Sequence, residues 1–147
     1  MKWIDIPPVW LLGTLLIVWQ VGQRSDLAFS GAVFDLLGGL FVGAGLVLIV
    51  LALTEMRKRR TTPVPHKTPD HLVTSGIFRR SRNPIYLGDA LILTGLILRW
   101  DAPLALPLLP LFVWIIERRF IVAEEKRLRQ VFKADFARYC RDTRRWI

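Results

Sequence analysis

The segment that decides the fold is Arg82-Asn83-Pro84-Ile85-Tyr86-Leu87-Gly88, where a basic stretch meets an apolar one. Pro84 suits the first turn of a helix, because its missing N–H would have no helical partner there. Asn83, just before it, is a typical N-cap residue. We therefore predict a helix that begins at Pro84 and whose first backbone N–H groups can bind a polar ligand. A helix cap with no further role is the alternative interpretation.

The helix at Pro84 belongs to one of four apolar blocks. The chain has 147 residues, of which 52% are hydrophobic, and its mean hydropathy is +0.36, which is too apolar for a soluble domain of this size. Only the block from Phe29 to Leu53 is long enough to cross a membrane alone, since a span of roughly 30 Å needs about 20 helical residues. We still predict a single all-α integral membrane domain over 1–147, with four short transmembrane helices near 7–22, 30–54, 84–98 and 103–117.

The last two predicted spans form a helical hairpin whose turn is Arg99-Trp100-Asp101-Ala102-Pro103. Two charges and a proline suit a hairpin tip at the membrane surface, and Trp100 is typical of the aromatic belt. Because both apolar blocks are short, two re-entrant helices that cross half of the membrane are the alternative.

The distribution of positive charge predicts the orientation. The net charge is +9, and 18 of the 21 Lys and Arg residues lie in the loop 57–83 or after residue 117. Short cytoplasmic segments retain Lys and Arg, so we place the loop, the tail and both termini in the cytoplasm of a bacterial-type inner (plasma) membrane. The same clustering next to apolar blocks explains the pI of about 10.8 without a nucleic-acid partner.

Glycines and cysteine add further expectations. Gly39-Leu40-Phe41-Val42-Gly43 is a small-xxx-small pattern, which favours close packing within the bundle over dimerisation, although the oligomeric state stays open. Cys140 is the single cysteine, and no Cys/His pair has zinc-ligand spacing, so we expect neither a disulfide nor a metal site. Three prolines in the stretch 62–69 predict an extended, stiff segment.

The C-terminal segment 118–142 is predicted to be an amphipathic cytoplasmic helix. Its apolar residues recur every three or four positions, at Leu128, Phe132, Phe136 and Tyr139. Such a stripe would lie along the cytoplasmic surface. Packing on lipid headgroups, with basic side chains near anionic lipid, would explain the stripe equally well.

Two motifs resemble the integral membrane methyltransferases related to isoprenylcysteine carboxyl methyltransferase and the phospholipid methyltransferases. The first is Leu72-Val73-Thr74-Ser75-Gly76-Ile77-Phe78 followed by the segment 82–88. The second is similar to the family's C-terminal helix and comprises Glu124-Glu125, Leu128, Phe132, Phe136, Tyr139 and Arg144-Arg145-Trp146. The resemblance covers roughly residues 60–147.

The resemblance implies a methyltransferase that uses S-adenosylmethionine (SAM), bound in a cytoplasmic pocket, and a lipid-like acceptor that arrives through the bilayer. The implied catalytic residues are Glu124 and Arg119. The implied cofactor-binding residues are Leu72, Val73, Gly76, Phe78, Arg82, Asn83, Pro84, Ile85, Tyr86, Gly88, Glu124 and Glu125.

Elementary electrostatics is compatible with that implication. A sulfonium cation near lipid needs an anionic partner, and Glu124 and Glu125 are adjacent acids in a basic tail. Adjacent helical residues point about 100° apart, so Glu124 can face the pocket while Glu125 pairs with Arg129 at i+4. Alternatively, both glutamates simply neutralise Arg127 and Arg129.

The chain departs from the family pattern at four positions. Asn83 stands where the family has histidine, and Phe78 where it has tyrosine; Lys133 replaces a glycine, and Phe120 replaces an arginine whose role we transfer to Arg119. Asn83 can form hydrogen bonds but cannot titrate. His66 and His71 are expected on the loop surface. The alternative function is a non-catalytic membrane protein that binds anionic lipid or a protein partner through its basic loop and tail.

Overall fold

The computed structural model describes residues 5–27, 29, 31–61 and 71–147. These residues are helical and contain no β-strand, which confirms the all-α prediction. The helices are α1 (Pro7–Arg24), α2 (Ala32–Lys58), α3 (Pro84–Arg99), α4 (Leu108–Ile116) and α5 (Val122–Asp142). The predicted start at Pro84 is correct. The proline-rich stretch 62–69 and His66 lie outside the described residues.

The fourth predicted span differs from the observed structure. Instead of one helix over 103–117, a 3₁₀ turn at Pro103–Ala105 precedes α4, whose N-cap is Pro107. Proline cannot donate to a helix interior, so the helix begins only after Pro107. A π-helical turn, Glu117–Ile121, then joins α4 to α5 without a break. The predicted cytoplasmic helix is therefore a continuation of the preceding one.

Within the described residues, α2 alone is both long and apolar enough to cross a membrane by length and composition. It has 27 residues, whereas α1, α3 and α4 have 18, 16 and 9. Many large apolar side chains of α2 are exposed, including Val33, Leu36, Leu40, Val47 and Val50. An exposed apolar helix face of this length is typical of contact with lipid.

Helices α2 and α3 pack through two reciprocal glycine pairs. A Cβ atom on Gly45 would lie 2.6 Å from the carbonyl oxygen of Gly88, and one on Gly38 would lie 2.7 Å from that of Gly95. In both helices the glycines are seven residues apart, so the two pairs form at two heights of an antiparallel interface. Only glycine permits this approach of the backbones.

The predicted bundle contact through Gly39 and Gly43 is wrong. Both glycines are exposed, and a Cβ atom on either would meet nothing within 4 Å. The 3.6-residue period of the helix turns these two positions away when Gly38 and Gly45 face α3.

The core has two clusters. The larger one joins α1, α3 and α4 through fully buried side chains that include Val18, Leu93, Ile97 and Ile116. The smaller one lies under α5 and contains Ala52, Val73, Phe78, Phe136 and Tyr139, with Leu128 and Phe132 packed against it. The apolar stripe of the tail helix therefore packs on the protein's own loop and on the end of α2. This contact anchors α5 over the first motif.

Helix α5 bends at Lys133, which has φ 40° and ψ −109°. This backbone conformation favours glycine, because a Cβ atom is crowded at positive φ. Lys133 is the position where the resembled family has a glycine. This chain therefore has a lysine in a backbone conformation that a glycine would adopt without strain.

The glycine pairs predict that Gly45→Ala lowers the free energy of unfolding by about 2 kcal/mol, because the methyl group must push α2 and α3 apart. The matched control is Gly43→Ala, which adds the same methyl group to open space. Thermal unfolding in detergent micelles measures both variants. Equal losses in the two variants would contradict the observed helix face.

The bend in α5 predicts that Lys133→Gly raises the free energy of unfolding by about 1 kcal/mol, because it removes the strain at positive φ. Lys126→Gly, at an exposed position of regular helix in α5, should instead lower it by about 1 kcal/mol. The same thermal unfolding assay compares the two, and a decrease in both variants would rule out a strained Lys133.

Candidate functional site

A cavity of about 440 Å³ lies between the first motif and α5. The end of α2 and the first residues of α1 complete its wall. Its volume is within the usual range of roughly 300–1,000 Å³ for ligand pockets. It brings together most of the residues that the sequence predicted for a cofactor site, namely Leu72, Val73, Phe78, Arg82, Asn83, Pro84, Ile85, Tyr86, Glu124 and Glu125.

Glu124 is held in the cavity by Tyr86. The Tyr86 hydroxyl donates a hydrogen bond of 3.1 Å to Oε2 of Glu124. Tyr86 is buried in the first turn of α3, whereas Glu124 lies in the first turn of α5. The bond therefore joins the two motifs and fixes a carboxylate inside a mainly apolar space.

Glu125 pairs with two arginines, and neither is the predicted Arg129. Its Oε1 accepts a 3.0 Å bond from Arg82, and its Oε2 accepts a 2.7 Å bond from Arg145. Burial raises the pKa of the Glu125 carboxyl, but the hydrogen bonds from Arg145 and Arg82 outweigh burial and hold the pKa below its usual value. The sequence interpretation missed this pairing because Arg145 is 20 residues away and reaches Glu125 only through the folded tail.

The residues after α5 fold back on the first motif, and we call 143–146 the closing segment. The backbone N–H of Arg82 donates to the carbonyl of Arg144 at 3.0 Å, and the Asn83 side-chain amide donates to the carbonyl of Arg145 at 3.0 Å. Arg145 also binds Glu117 at 2.6 Å, and the Trp146 indole donates to the same carboxylate. The closing segment is thus attached to both the loop and the π turn.

Asn83 has a different role from the predicted cap. It occupies the N-cap position of α3, but its side chain makes no capping hydrogen bond. The amide is used instead to hold the closing segment. Tyr139 makes a second contact, between α5 and the first motif: its hydroxyl donates a hydrogen bond of 2.7 Å to the carbonyl of Phe78. Burial raises the pKa of this hydroxyl.

Three predicted site residues do not line the cavity. Gly76 has φ +59° and packs on Glu55, where a Cβ atom would lie 2.9 Å from the carboxylate. Gly88 faces α2. Arg119 lies in a separate groove between α1 and α4, where its Nε donates to Asp5 at 2.7 Å and its guanidinium is 5.4 Å from the centre of the Trp10 ring. The structure therefore separates Arg119 from Glu124.

The cavity residues that were absent from the predicted site include His71 and Asp89. His71 is exposed, as expected, yet it lines the cavity. Asp89 is buried in α3 and also lines the cavity. The sequence carried a signal for Asp89, because an ionisable residue inside an apolar helix usually marks a functional site.

The described helices thus include one of membrane-spanning length, and a cavity of ligand size lies between the first motif and α5. The family model of the phospholipid methyltransferases matches residues 33–135. The chain therefore belongs to the phospholipid methyltransferase family, which confirms the resemblance drawn from the two motifs. No curated protein and no solved structure matches the chain significantly.

The Glu125 network predicts a pH-dependent stability. Because folding lowers the pKa of Glu125, its contribution is complete above pH 4.5 and is lost as the pH falls through the lower folded value. Glu125→Gln should cost about 3 kcal/mol at neutral pH, since it removes the carboxylate that pairs with the buried Arg82 and leaves Arg145 with Glu117. The difference from the unaltered protein should shrink below pH 4.5, as measured by thermal unfolding.

The control for this prediction is Asp135→Asn, which removes an exposed ion pair with Arg138. Exposed pairs contribute about 1 kcal/mol or less, so this variant should unfold almost as the unaltered protein does. A Glu125→Gln deficit that is constant down to pH 3 would show that the carboxylate charge is not responsible.

Proposed function

We propose that the protein is a SAM-dependent methyltransferase that acts at the cytoplasmic face of the membrane on a lipid-like or hydrophobic acceptor. The observation that carries the proposal is the Glu124 carboxylate, which Tyr86 holds inside a mainly apolar cavity built from both motifs. Membership of the phospholipid methyltransferase family supports the reaction class.

The cavity has the groups that SAM requires. Glu124 would face the sulfonium cation, and the apolar side chains of Leu72, Val73 and Phe78 would contact the adenosine. The Arg82 guanidinium also lines the cavity and would attract the carboxylate of the methionine moiety. When bound, SAM supplies an electrophilic methyl carbon.

The chain's own residues would position the reactants and exclude water from the cavity. Direct displacement at a methyl carbon needs an in-line approach in a site that excludes water. The hydrogen bond from Tyr86 fixes Glu124, Arg145 ties the closing segment to Glu125 and Glu117, and the mainly apolar lining would keep water out of the cavity. No covalent nucleophile is required.

The proposed placement in the membrane follows the charges. We propose that α1, α2, α3 and α4 cross an inner (plasma) membrane as four spans, with both termini, the loop 57–83 and the tail in the cytoplasm. The cavity wall then continues from the cytoplasmic loop to Pro7 and Pro8 on α1 and to Ile49 and Leu53 on α2. A hydrophobic acceptor, such as an isoprenylcysteine-like molecule, would reach the cavity from the bilayer along these side chains.

Calorimetry with SAM and S-adenosylhomocysteine (SAH) tests the proposal on detergent-purified protein. We expect Kd values near 1 μM, or about −8 kcal/mol. Glu124→Gln should weaken SAM binding by tenfold or more and SAH binding by less, because SAH lacks the sulfonium charge. Asp135→Asn, an exposed substitution on α5, is the control and should bind both ligands normally.

Either of two results would overturn the proposal. Equal weakening of SAM and SAH by Glu124→Gln would remove Glu124 from the sulfonium site. Failure of the unaltered protein to bind either ligand in lipid-supplemented micelles would favour the non-catalytic alternative, in which the basic loop and tail bind anionic lipid or a protein partner.

A further inference from the structure

A groove between α1 and α4 is separate from the cavity that contains Glu124. It has a volume of about 600 Å³, and the residues described as lining it are all different from those that line the cavity. Its floor is open at Gly13, where a Cβ atom would meet nothing within 4 Å. The groove is therefore a second place in the described part of the chain where a ligand can bind.

The groove has the length and the polarity of one membrane leaflet. Along α1 it extends from Val9 to Ile17, which is about 12 Å at the helical rise of 1.5 Å per residue. Half of a hydrocarbon core of roughly 30 Å is similar. The lining is apolar at the end formed by Ile17 and Leu108, whereas the other end contains Asp5 and Arg119. In the proposed placement, the charged end lies at the cytoplasmic surface.

The charged end presents one edge of a fixed guanidinium. Oδ1 of Asp5 accepts a bond of 2.7 Å from Nε of Arg119 and one of 3.1 Å from the Trp10 indole. The guanidinium also lies 5.4 Å from the centre of the Trp10 ring. Its two Nη groups form no hydrogen bond with a described residue, and the side chain is 52% exposed. A planar guanidinium with a free edge matches the geometry of a phosphate.

The charges around this edge favour an anion. Asp5 is already bound by Arg119 and Trp10, and Glu117 on the same π turn is bound by Arg145. Arg118 is exposed beside Arg119, so the two arginines exceed the one remaining acid by one positive charge. Basic pockets between helices at the cytoplasmic surface attract anionic lipid headgroups. A zwitterionic lipid brings its own cation and gains less.

We infer that the groove between α1 and α4 binds one anionic phospholipid of the cytoplasmic leaflet. Its phosphate lies at the Nη edge of Arg119, and an acyl chain lies over Gly13 between the two helices. The inference goes beyond the proposed function, because this lipid is bound away from Glu124 and is not the methyl acceptor. It requires α1 and α4 to face the bilayer, but it does not require SAM.

Native mass spectrometry of the full-length protein, released from neutral detergent micelles, tests the inference. The probes are phosphatidylglycerol, which is anionic, and phosphatidylcholine, which is zwitterionic, with identical acyl chains. The Kd of the first bound lipid is measured for each probe. We expect phosphatidylglycerol to bind at least tenfold more tightly. Equal affinities in the unaltered protein would overturn the inference, whatever the variants show.

One pair of variants tests the headgroup contact. Arg119→Gln should bring the two Kd values within about threefold of each other, because the phosphate loses its guanidinium. The matched control is Arg129→Gln, which removes the same charge from an exposed position of α5 outside the groove and should keep the tenfold preference. Equal losses in both variants would show that the basic surface as a whole attracts the lipid, and would overturn the assigned site.

A second pair tests the acyl chain contact without a change of charge. Gly13→Leu places a side chain in the groove and should weaken phosphatidylglycerol binding at least tenfold. Gly39→Leu makes the same replacement at an exposed position of α2 with equally open surroundings, and should leave the Kd unchanged. Both replace a helical glycine by a better helix former, so both should fold. Unchanged binding in Gly13→Leu would place the lipid elsewhere and overturn the inference.

Calorimetry with SAH on the same preparations separates this inference from the proposed function. If the unaltered protein binds SAH without a preference for phosphatidylglycerol, the lipid site is overturned and the proposed function stands. If it prefers phosphatidylglycerol and both variant pairs behave as expected, the lipid site stands even when SAH does not bind.

Discussion

The carboxylate of Glu125 is the interaction on which the site depends. It receives bonds from Arg82 in the loop before α3 and from Arg145 in the closing segment, so three separate parts of the chain meet at one charge. The side chains of Glu125 and Arg82 are each 12% exposed, which makes the ion pairs stronger than surface pairs and costly to break. Without this charge, the loop and α5 would still be joined through neutral acceptors, among them the carbonyls of Cys140 and Phe78. The adjacent Glu124 would then be held less firmly opposite Tyr86.

Much of the fold and the site was predictable from local patterns. Proline at a helix start, apolar periodicity and the two motifs correctly gave the start of α3 and the helical tail, and most of the residues implied for a cofactor site line the cavity. The family was identifiable from the motifs alone. Long-range pairing was not predictable, because the partners of Glu125 lie 43 and 20 residues away and meet only through the folded tail.

The position of Arg119 shows why a residue's role cannot be transferred to its neighbour in the sequence, because neighbouring residues face different sides of a helix. Phe120 precedes Glu124 by four residues, so it faces nearly the same side of the helix and is buried. Arg119 precedes Glu124 by five residues, and even in the wider π turn this offset carries its side chain past the side that Phe120 and Glu124 share. Its guanidinium consequently meets Asp5, which precedes α1, and Trp10 on α1. The direction of each residue around the helix axis likewise explains why Gly39 and Gly43 face outwards, although their spacing of four residues suits a helix contact.

The two glycine pairs between α2 and α3 have a mechanical consequence. Because contact occurs at Gly45 and Gly88 and again at Gly38 and Gly95, neither sliding nor rotation of one helix against the other is possible without a backbone clash. In the proposed four-span placement, the pair would therefore respond to a thinner or thicker bilayer by tilting as a unit. The part of the cavity formed by α2 and α3 keeps its dimensions during that tilt, so the distance between Ile49 and Asp89 does not depend on bilayer thickness.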